Sequence, residues 1–312
     1  MSDTCNKVVV CIPSYKNRFS HIVGNVKNID ACYDIAIFLS EGDYEASGYN
    51  KYDWDAPNIR VINTTCKNIS EKRQVMLDYA IEHGYTGMFQ IDDDIMFIGK
   101  RITEATKRTT SDSYRSEDIS FNELLHKIED VCYEENATFA SPSFIFHLGF
   151  SKPGKLNVNS NLNFGQLDFM DLTKVKESGL KYDTSGTTHE DVDFVIELLR
   201  HGYKCVTVAD YSFKPDNKAM YSTSTASLNC NLMDSDHFRI AIYLKYRDGI
   251  TLKVNKNGLM TMVCHLKNYW NTLDVPIKDD NYHKGLYEVC KTRDVKAVRE
   301  YIIAHQNKKK SS

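Results

Sequence analysis

The segment Phe89-Gln90-Ile91-Asp92-Asp93-Asp94-Ile95 constrains this 312-residue chain more than any other. An apolar strand that runs straight into three carboxylates delivers them to the C-terminal edge of a parallel sheet, where α/β folds place their ligands. Three adjacent like charges repel one another, so the pattern favours a divalent cation between them. Side chains alternate along an extended chain, which puts Asp92 and Asp94 on one side and Asp93 on the other. Asp92 and Asp94 can then meet Mg2+ or Mn2+, whose remaining positions take diphosphate oxygens and water. Taken alone, the triplet fits a solvated acidic turn or a helix cap better; the preceding strand and the surrounding segments reverse that.

The surrounding pattern supplies the strand. Val8–Tyr15 is a β-branched run ending in Pro13-Ser14, and Asp34–Ser40 and Asn58–Thr64 are two more short apolar strands. Ile69–His83 carries apolar residues at helical spacing and is closed by Gly84; Thr86–Ile91 then leads into the aspartates. Strands alternating with helices predict an α/β fold with a mainly parallel sheet and helices on both faces. Downstream, Phe121–Asn136 reads as a helix, Thr138–Phe146 and Asn163–Leu172 as strands, Glu190–His201 as a helix, and Lys204–Asp210 as a strand. Asp236–Tyr246 and Gly285–His305 read as helices. Gly99–Asp118 and Phe213–Asp234 are polar and aperiodic, and read as two loops of the functional or disordered kind.

Composition narrows the classes. A net charge of −3 and a pI near 6.4 exclude a globally basic nucleic-acid binder and leave room for a local basic patch. Nine scattered cysteines, with no CxxC pair, suit reduced thiols in a cytosol better than a secreted disulfide framework. The first apolar run is too short for a signal or membrane helix, so the expectation is a cytoplasmic protein.

Four further features could carry chemistry. Thr187-Thr188-His189-Glu190-Asp191 opens a helix: Thr188 fits the N-cap, and acids in a first turn favour the macrodipole. The functional alternative is a carboxylate held at a helix start to take a proton. At the end of the first strand, Pro13 fixes the backbone, Ser14 offers a donor, Tyr15 can stack on a base and Arg18 can pair with phosphate. Glu71-Lys72-Arg73-Gln74 reads as a solvated helix face apart from Arg73, and His265, after an apolar strand, as a packed residue. The absence of G-x-G-x-x-G and G-x-x-x-x-G-K-[ST] argues against dinucleotide and P-loop sites.

In this order, the segments resemble the GT-A glycosyltransferases. The resemblance implies a Rossmann-like domain over 1–275, with a nucleotide-sugar half at about 1–98 and an acceptor half at about 119–275, and a helical extension over 276–312. It implies that Pro13, Ser14, Tyr15, Arg18, Arg73, Asp92, Asp93 and Glu190 receive the nucleotide-sugar. Asp92 and Asp94 become the D-x-D motif for Mn2+ or Mg2+, His265 a third ligand, and Asp191 the base of an x-E-D segment. More narrowly, I-P-S-Y-K-N-R, I-D-D-D-I and H-E-D-V-D-F resemble small phage and protist GT-A enzymes linked to glycosylation of hydroxymethylpyrimidines in DNA. That resemblance implies a UDP-sugar donor, inversion at the anomeric carbon and work in the host cytoplasm. It makes DNA the acceptor, gripped by Lys100, Arg101, Lys107, Arg108 and Arg115 of the first polar loop. A protein or oligosaccharide acceptor remains an alternative, as does a two-metal nuclease or phosphatase or a metal-stabilised binding protein.

Overall fold

The computed structural model describes residues 7–14, 26–40, 57–101, 116–144, 154–159, 165–185, 189–215, 232–273 and 280–311. In chain order the first elements are β1 (Val8–Pro13), β2 (Asp34–Ser40), β3 (Ile59–Thr64), α1 (Ile69–Glu82), β4 (Gly87–Ile91), β5 (Ile95–Arg101), β6 (Ser116–Asp118) and α2 (Phe121–Glu134). There follow β7 (Phe139–Phe144), β8 (Leu156–Val158), β9 (Leu167–Asp171), α3 (Leu172–Ser178), α4 (Glu190–Arg200) and β10 (Cys205–Pro215). The chain ends with α5 (Leu232–Tyr246), β11 (Ile250–Val254), β12 (Met260–Cys264), α6 (Asn281–Lys291) and α7 (Val295–Ser311).

The fold is α/β: a mixed, mainly parallel sheet flanked by helices. Its order is β3-β2-β1-β4-β9-β7-β10-β5-β6, with β8 on β10. The parallel character is concentrated in β3-β2-β1-β4. Alternate residues of these strands feed two cores, one on each face. Val9, Cys11, Ala36, Phe38 and Met88 enter the first, and Val8, Val10, Ile12, Ile35, Ile37 and Phe89 the second. Burial on both faces is why these strands read as continuous apolar runs. Met76, Leu77 and Ala80 of α1 close the first core, and Leu124, Leu125 and Ile128 of α2 the second. The Asn68 side chain caps α1 by accepting the Glu71 N–H at 2.8 Å.

Beyond β4 the direction changes. β9 inserts antiparallel between β4 and β7, so its N-terminal end lies beside the C-terminal end of β4. The 163–172 strand expected from sequence ends at Asp171, whose side chain caps the short helix α3; Gly179, at φ 65°, terminates it. A seven-residue helix is too short to display a helical period. The first polar loop is shorter than expected, because Gly99–Arg101 pairs with Ser116–Asp118. β10 likewise runs five residues past Asp210 to Pro215, paired with β5. The expected Gly285–His305 helix is two helices: Arg293 takes φ 58° and Asp294 Oδ1 accepts the Ala297 N–H at 3.1 Å. The C-terminal elements join the first core through Ile240, Tyr243, Leu252, Leu286, Val298 and Ile302. Among the described residues no helix is long and apolar enough to cross a membrane.

Candidate active site

β1 and β4 are parallel neighbours with Cys11 opposite Gln90, so the turn after β1 and the acidic triplet share one edge of the sheet. Ser14 Oγ donates to Asp93 Oδ2 at 2.7 Å and ties the two turns together. Lys72, in the first turn of α1, donates to the Ser14 carbonyl at 2.8 Å and to Ser40 Oγ at 3.0 Å. Lys72 is therefore buried, not part of a solvated face. Its ammonium ties the ends of two neighbouring strands, β1 and β2, to the helix. Pro13 is buried at the end of β1, opposite Phe38. Asp93 and Asp94 are buried, and Asp92 keeps a fifth of its side chain exposed.

Arg73 joins the two sequence-distant acidic segments. Its guanidinium, 5% exposed, lies 2.5 Å from Glu190, 3.4 Å from Asp92 and 3.7 Å from Asp191. Burial opposes its charge, but Glu190, Asp92 and Asp191 outweigh that and hold its proton more tightly than usual. Nη2 also donates to the Gly165 carbonyl at 2.6 Å, an oxygen that accepts from Gln90 Nε2 at 2.8 Å as well. Gly165 sits at φ 67°, in the left-handed region, with Arg73 and Asp191 packed where a Cβ would be.

Beneath this cluster lies Asp168 of β9, opposite Gln90 in the ladder and fully buried. Neither of its oxygens completes a hydrogen bond among the described residues. Burial raises its pKa to about 8; the Arg73 charge and the nearby Gly165 N–H pull the other way without prevailing. Burial likewise raises Glu190 to about 7 despite the adjacent Arg73. Tyr182 stacks on Phe194 with centroids 4.3 Å apart, and its hydroxyl lies 3.4 Å from Gln90 Oε1.

α4 presents the remaining acids. Its N-cap position is occupied by His189, not Thr188, at φ 65° and with no side-chain capping bond. Thr188 itself lies outside the described residues. In the first turn, Asp193 accepts from Lys245 Nζ and Tyr246 OH, both at 2.6 Å, which locks α4 to α5. Asp191 Oδ1 accepts the Val192 N–H at 2.8 Å, and its side chain stays 21% exposed. Asp191 is thus the α4 acid turned toward both Arg73 and solvent. Behind Glu190 a cavity of about 310 Å³ is lined by Asp183, Ser185, His189, Asp193 and His237, among others. Burial lowers the pKa of His189, whose Nε2 has no hydrogen-bond partner among the described residues.

Asp92, Asp93, Asp94, Asp168, Glu190 and Asp191 thus gather six carboxylates around the Arg73 guanidinium and the turn that Ser14 ties to Asp93. An excess of hard carboxylate oxygens suits a divalent ion of the Mg2+ or Mn2+ kind.

A family model described as TET-Associated Glycosyltransferase matches residues 10–221. The chain belongs to that family. No curated protein matches it. Among solved structures, S. aureus TarS 1-349 superposes with a TM-score of 0.56 at 11% identity, covering 96% of this chain and 91% of that one. Its complex with UDP-GlcNAc gives 0.56 at 10% identity, over 96% and 92% of the two chains. Its complex with UDP gives 0.53 at 10%, over 96% and 91%. At such identities the likeness establishes the GT-A fold.

In this TET-associated glycosyltransferase the structure brings Ser14, Arg73, Asp92, Asp93, Glu190 and Asp191 together as one connected cluster. It does not gather His265 with Asp92 and Asp94 into a three-donor group among the described residues. The His265 ring is exposed and its Nε2 pairs with Thr251 Oγ1 at 2.9 Å. The adjacent Cys264 does sense the charge of Asp191, a cause secondary to the burial that raises its thiol to about 12. Tyr15, Arg18, Lys107, Arg108 and Arg115 lie outside the described residues. Arg101 corrects an expectation: it belongs to β5, is 4% exposed and reaches Asp210 at 3.6 Å, so it is committed to the sheet. Lys100, on the same strand, remains 41% exposed between Glu123 and the Tyr211 ring. Sequence reasoning missed Lys72, Gln90, Gly165, Asp168 and Tyr182. Asp168, a lone acid in the apolar run Leu167–Met170, was the one with a readable signal.

Proposed function

We propose that this glycosyltransferase moves a sugar from a nucleoside-diphosphate sugar, UDP-linked as in the ligand of TarS, to the hydroxyl of a hydroxymethylpyrimidine in DNA. The observation that carries the reading is Arg73, a buried cation that bridges the triplet after β4 to the acids opening α4. A site for diphosphate departure and a site for proton removal thereby share one residue. Asp92 and Asp94 would hold Mn2+ or Mg2+, which supplies charge neutralisation on the departing diphosphate. His265 would join them as a third ligand only by leaving its contact with Thr251 Oγ1.

Asp191 takes the proton of the acceptor hydroxyl as the oxygen attacks the anomeric carbon, and the displacement inverts configuration. Arg73 Nη1, 3.7 Å from Asp191 Oδ2, holds that carboxylate in place. Ser14 orients Asp93 toward the nucleotide, and Pro13, Tyr15 and Arg18 complete the base and phosphate contacts. Residues 1–98 form the donor half of a domain reaching 275, 119–275 the acceptor half, and 276–312 an extension. The enzyme works in the cytoplasm, that of the host if a phage encodes it. Lys100, Lys107, Arg108 and Arg115 grip the DNA backbone, and the target base is flipped out of the stack.

Thermal shift against nucleoside diphosphates, with and without Mn2+, tests the donor half of the reading. Stabilisation by one nucleotide that depends on the metal is the expected result. Indifference to every nucleotide in both conditions overturns it.

A further inference from the structure

We propose that Asp30, Cys32 and His126 form a second cation site, for a borderline-soft divalent ion with Zn2+ foremost. This site does not depend on the transferase reading. β2 and β4 run in the same direction through β1, so the turn before β2 lies at the sheet edge opposite the acidic triplet.

The three residues place one carboxylate oxygen, one sulfur and one ring nitrogen within 4.8 Å of one another, all at the surface. Their chemistry differs from that of the Asp92/Asp94 pair, because thiolate and imidazole donors select zinc-like ions over Mg2+ and Mn2+. Zinc–donor bonds of roughly 2.0–2.3 Å hold ligand atoms about 3–4 Å apart, so closure asks only for rotation of exposed side chains.

Two independent restraints already shape the site. The first fixes the turn. Asn122 of α2 accepts the Asp30 N–H at 2.7 Å and donates to the Asn28 carbonyl at 3.0 Å, pinning the turn to the helix that carries His126 one turn later. The second fixes the imidazole. The Tyr33 hydroxyl, on a ring only 2% exposed, donates its single proton to Glu129 Oε2 at 2.9 Å. Its 3.0 Å contact with His126 Nδ1 must then be an N–H donated by the histidine. In the neutral ring that leaves the Nε2 lone pair facing Asp30 Oδ2 at 3.9 Å. Two acceptors opposed in this way call for a positive charge between them. A proton on Nε2 is the simple source; a metal ion is the other, and there a Cys32 thiolate bond replaces the hydrogen bond that the thiol gives Asp30. Outer partners that fix a histidine tautomer are a recurring feature of metal sites. When Cys32 ligates, its thiol proton passes to solvent and water fills the fourth position.

The test follows alkylation of Cys32 in the full chain by peptide mass spectrometry, with and without one equivalent of Zn2+. Protein carrying Asp94→Ala, to weaken the competing carboxylate site, is run beside the unchanged chain. Zinc is expected to slow labelling of Cys32 by roughly tenfold or more in both proteins, since the bound thiolate is no longer a free nucleophile. His126→Gln and, separately, Asp30→Asn should largely abolish that protection. Addition of Co2+ should produce a thiolate charge-transfer absorption that Cys32→Ser removes. Unchanged labelling with zinc leaves only an imidazolium–carboxylate pair and overturns the proposal, as does protection that survives both ligand substitutions.

Discussion

Gly165→Ala tests whether the architecture around Arg73 is a requirement of the chemistry or an incidental crossing. At φ 67° a new side chain strains the backbone, by about 1–2 kcal/mol. A Cβ would also stand against Arg73 Nη1, 2.6 Å from Asp191 Cβ and 2.8 Å from its Oδ2. Carbon atoms pack at roughly 3.5–4.0 Å, so Asp191 must retreat by about 1 Å. A displacement of that size at a reacting group costs about 10²-fold in rate. Gly84→Ala is the control, because Gly84 has φ 73° and no atom within 4 Å of the new Cβ. Both variants should lose similar backbone energy, with a melting temperature lower by a few degrees, on the order of 2–4 °C per kcal/mol. Only Gly165→Ala should lose transfer, assayed as sugar moved per unit time at saturating donor. Equal transfer rates in the two variants would refute the placement of Asp191 and Arg73 at the reacting centre.

Asp191→Asn, nearly isosteric, should lower turnover by roughly 10²-fold or more while metal-dependent nucleotide binding, read by calorimetry, persists. Asp94→Ala should abolish that binding with the fold intact by circular dichroism; full activity in excess chelator contradicts the D-x-D assignment. Stability of the chelated protein should fall as pH rises from about 5 to about 8. Asp168 and Glu190 are raised to about 8 and about 7 by burial, so the native state binds more protons than the unfolded one across that window. Asp168→Asn removes the larger share of that slope and should stabilise the protein at pH 8 by an amount on the order of several kcal/mol, read from urea midpoints. Replacing Lys107 and Arg108 by Ala should flatten the salt dependence of DNA binding by about two units of slope.

Much of the candidate site, as the structure assembles it, was legible because its parts sit where strands end. Burial on both faces makes β1, β2 and β4 continuous apolar runs, and the polar residue that breaks each run marks the same sheet edge. Ser14 and Asp92–Asp94 were found that way. Asp191 was visible as one of three acids opening an amphipathic helix. What sequence could not supply was β9: its antiparallel insertion beside β4 is a long-range choice, and it alone brings Gly165 and Asp168 under Arg73. Lys72 was misjudged for a related reason. A lysine in a first helical turn looks solvated until two strand ends, at Ser14 and Ser40, close over it. Arg101 failed in the opposite sense, since a polar stretch hid a strand that pairs with β10 and buries the guanidinium against Asp210.

The most direct test of the account is nucleoside mass spectrometry. DNA containing hydroxymethylpyrimidines is incubated with the protein, Mn2+ and a panel of UDP-sugars, then digested to nucleosides. One donor should yield a hydroxymethylpyrimidine nucleoside heavier by a single sugar residue, absent with Asp191→Asn and absent from DNA lacking the hydroxymethyl group. Unmodified nucleosides from every donor, in a preparation that cleaves one of those UDP-sugars, would contradict DNA as the acceptor.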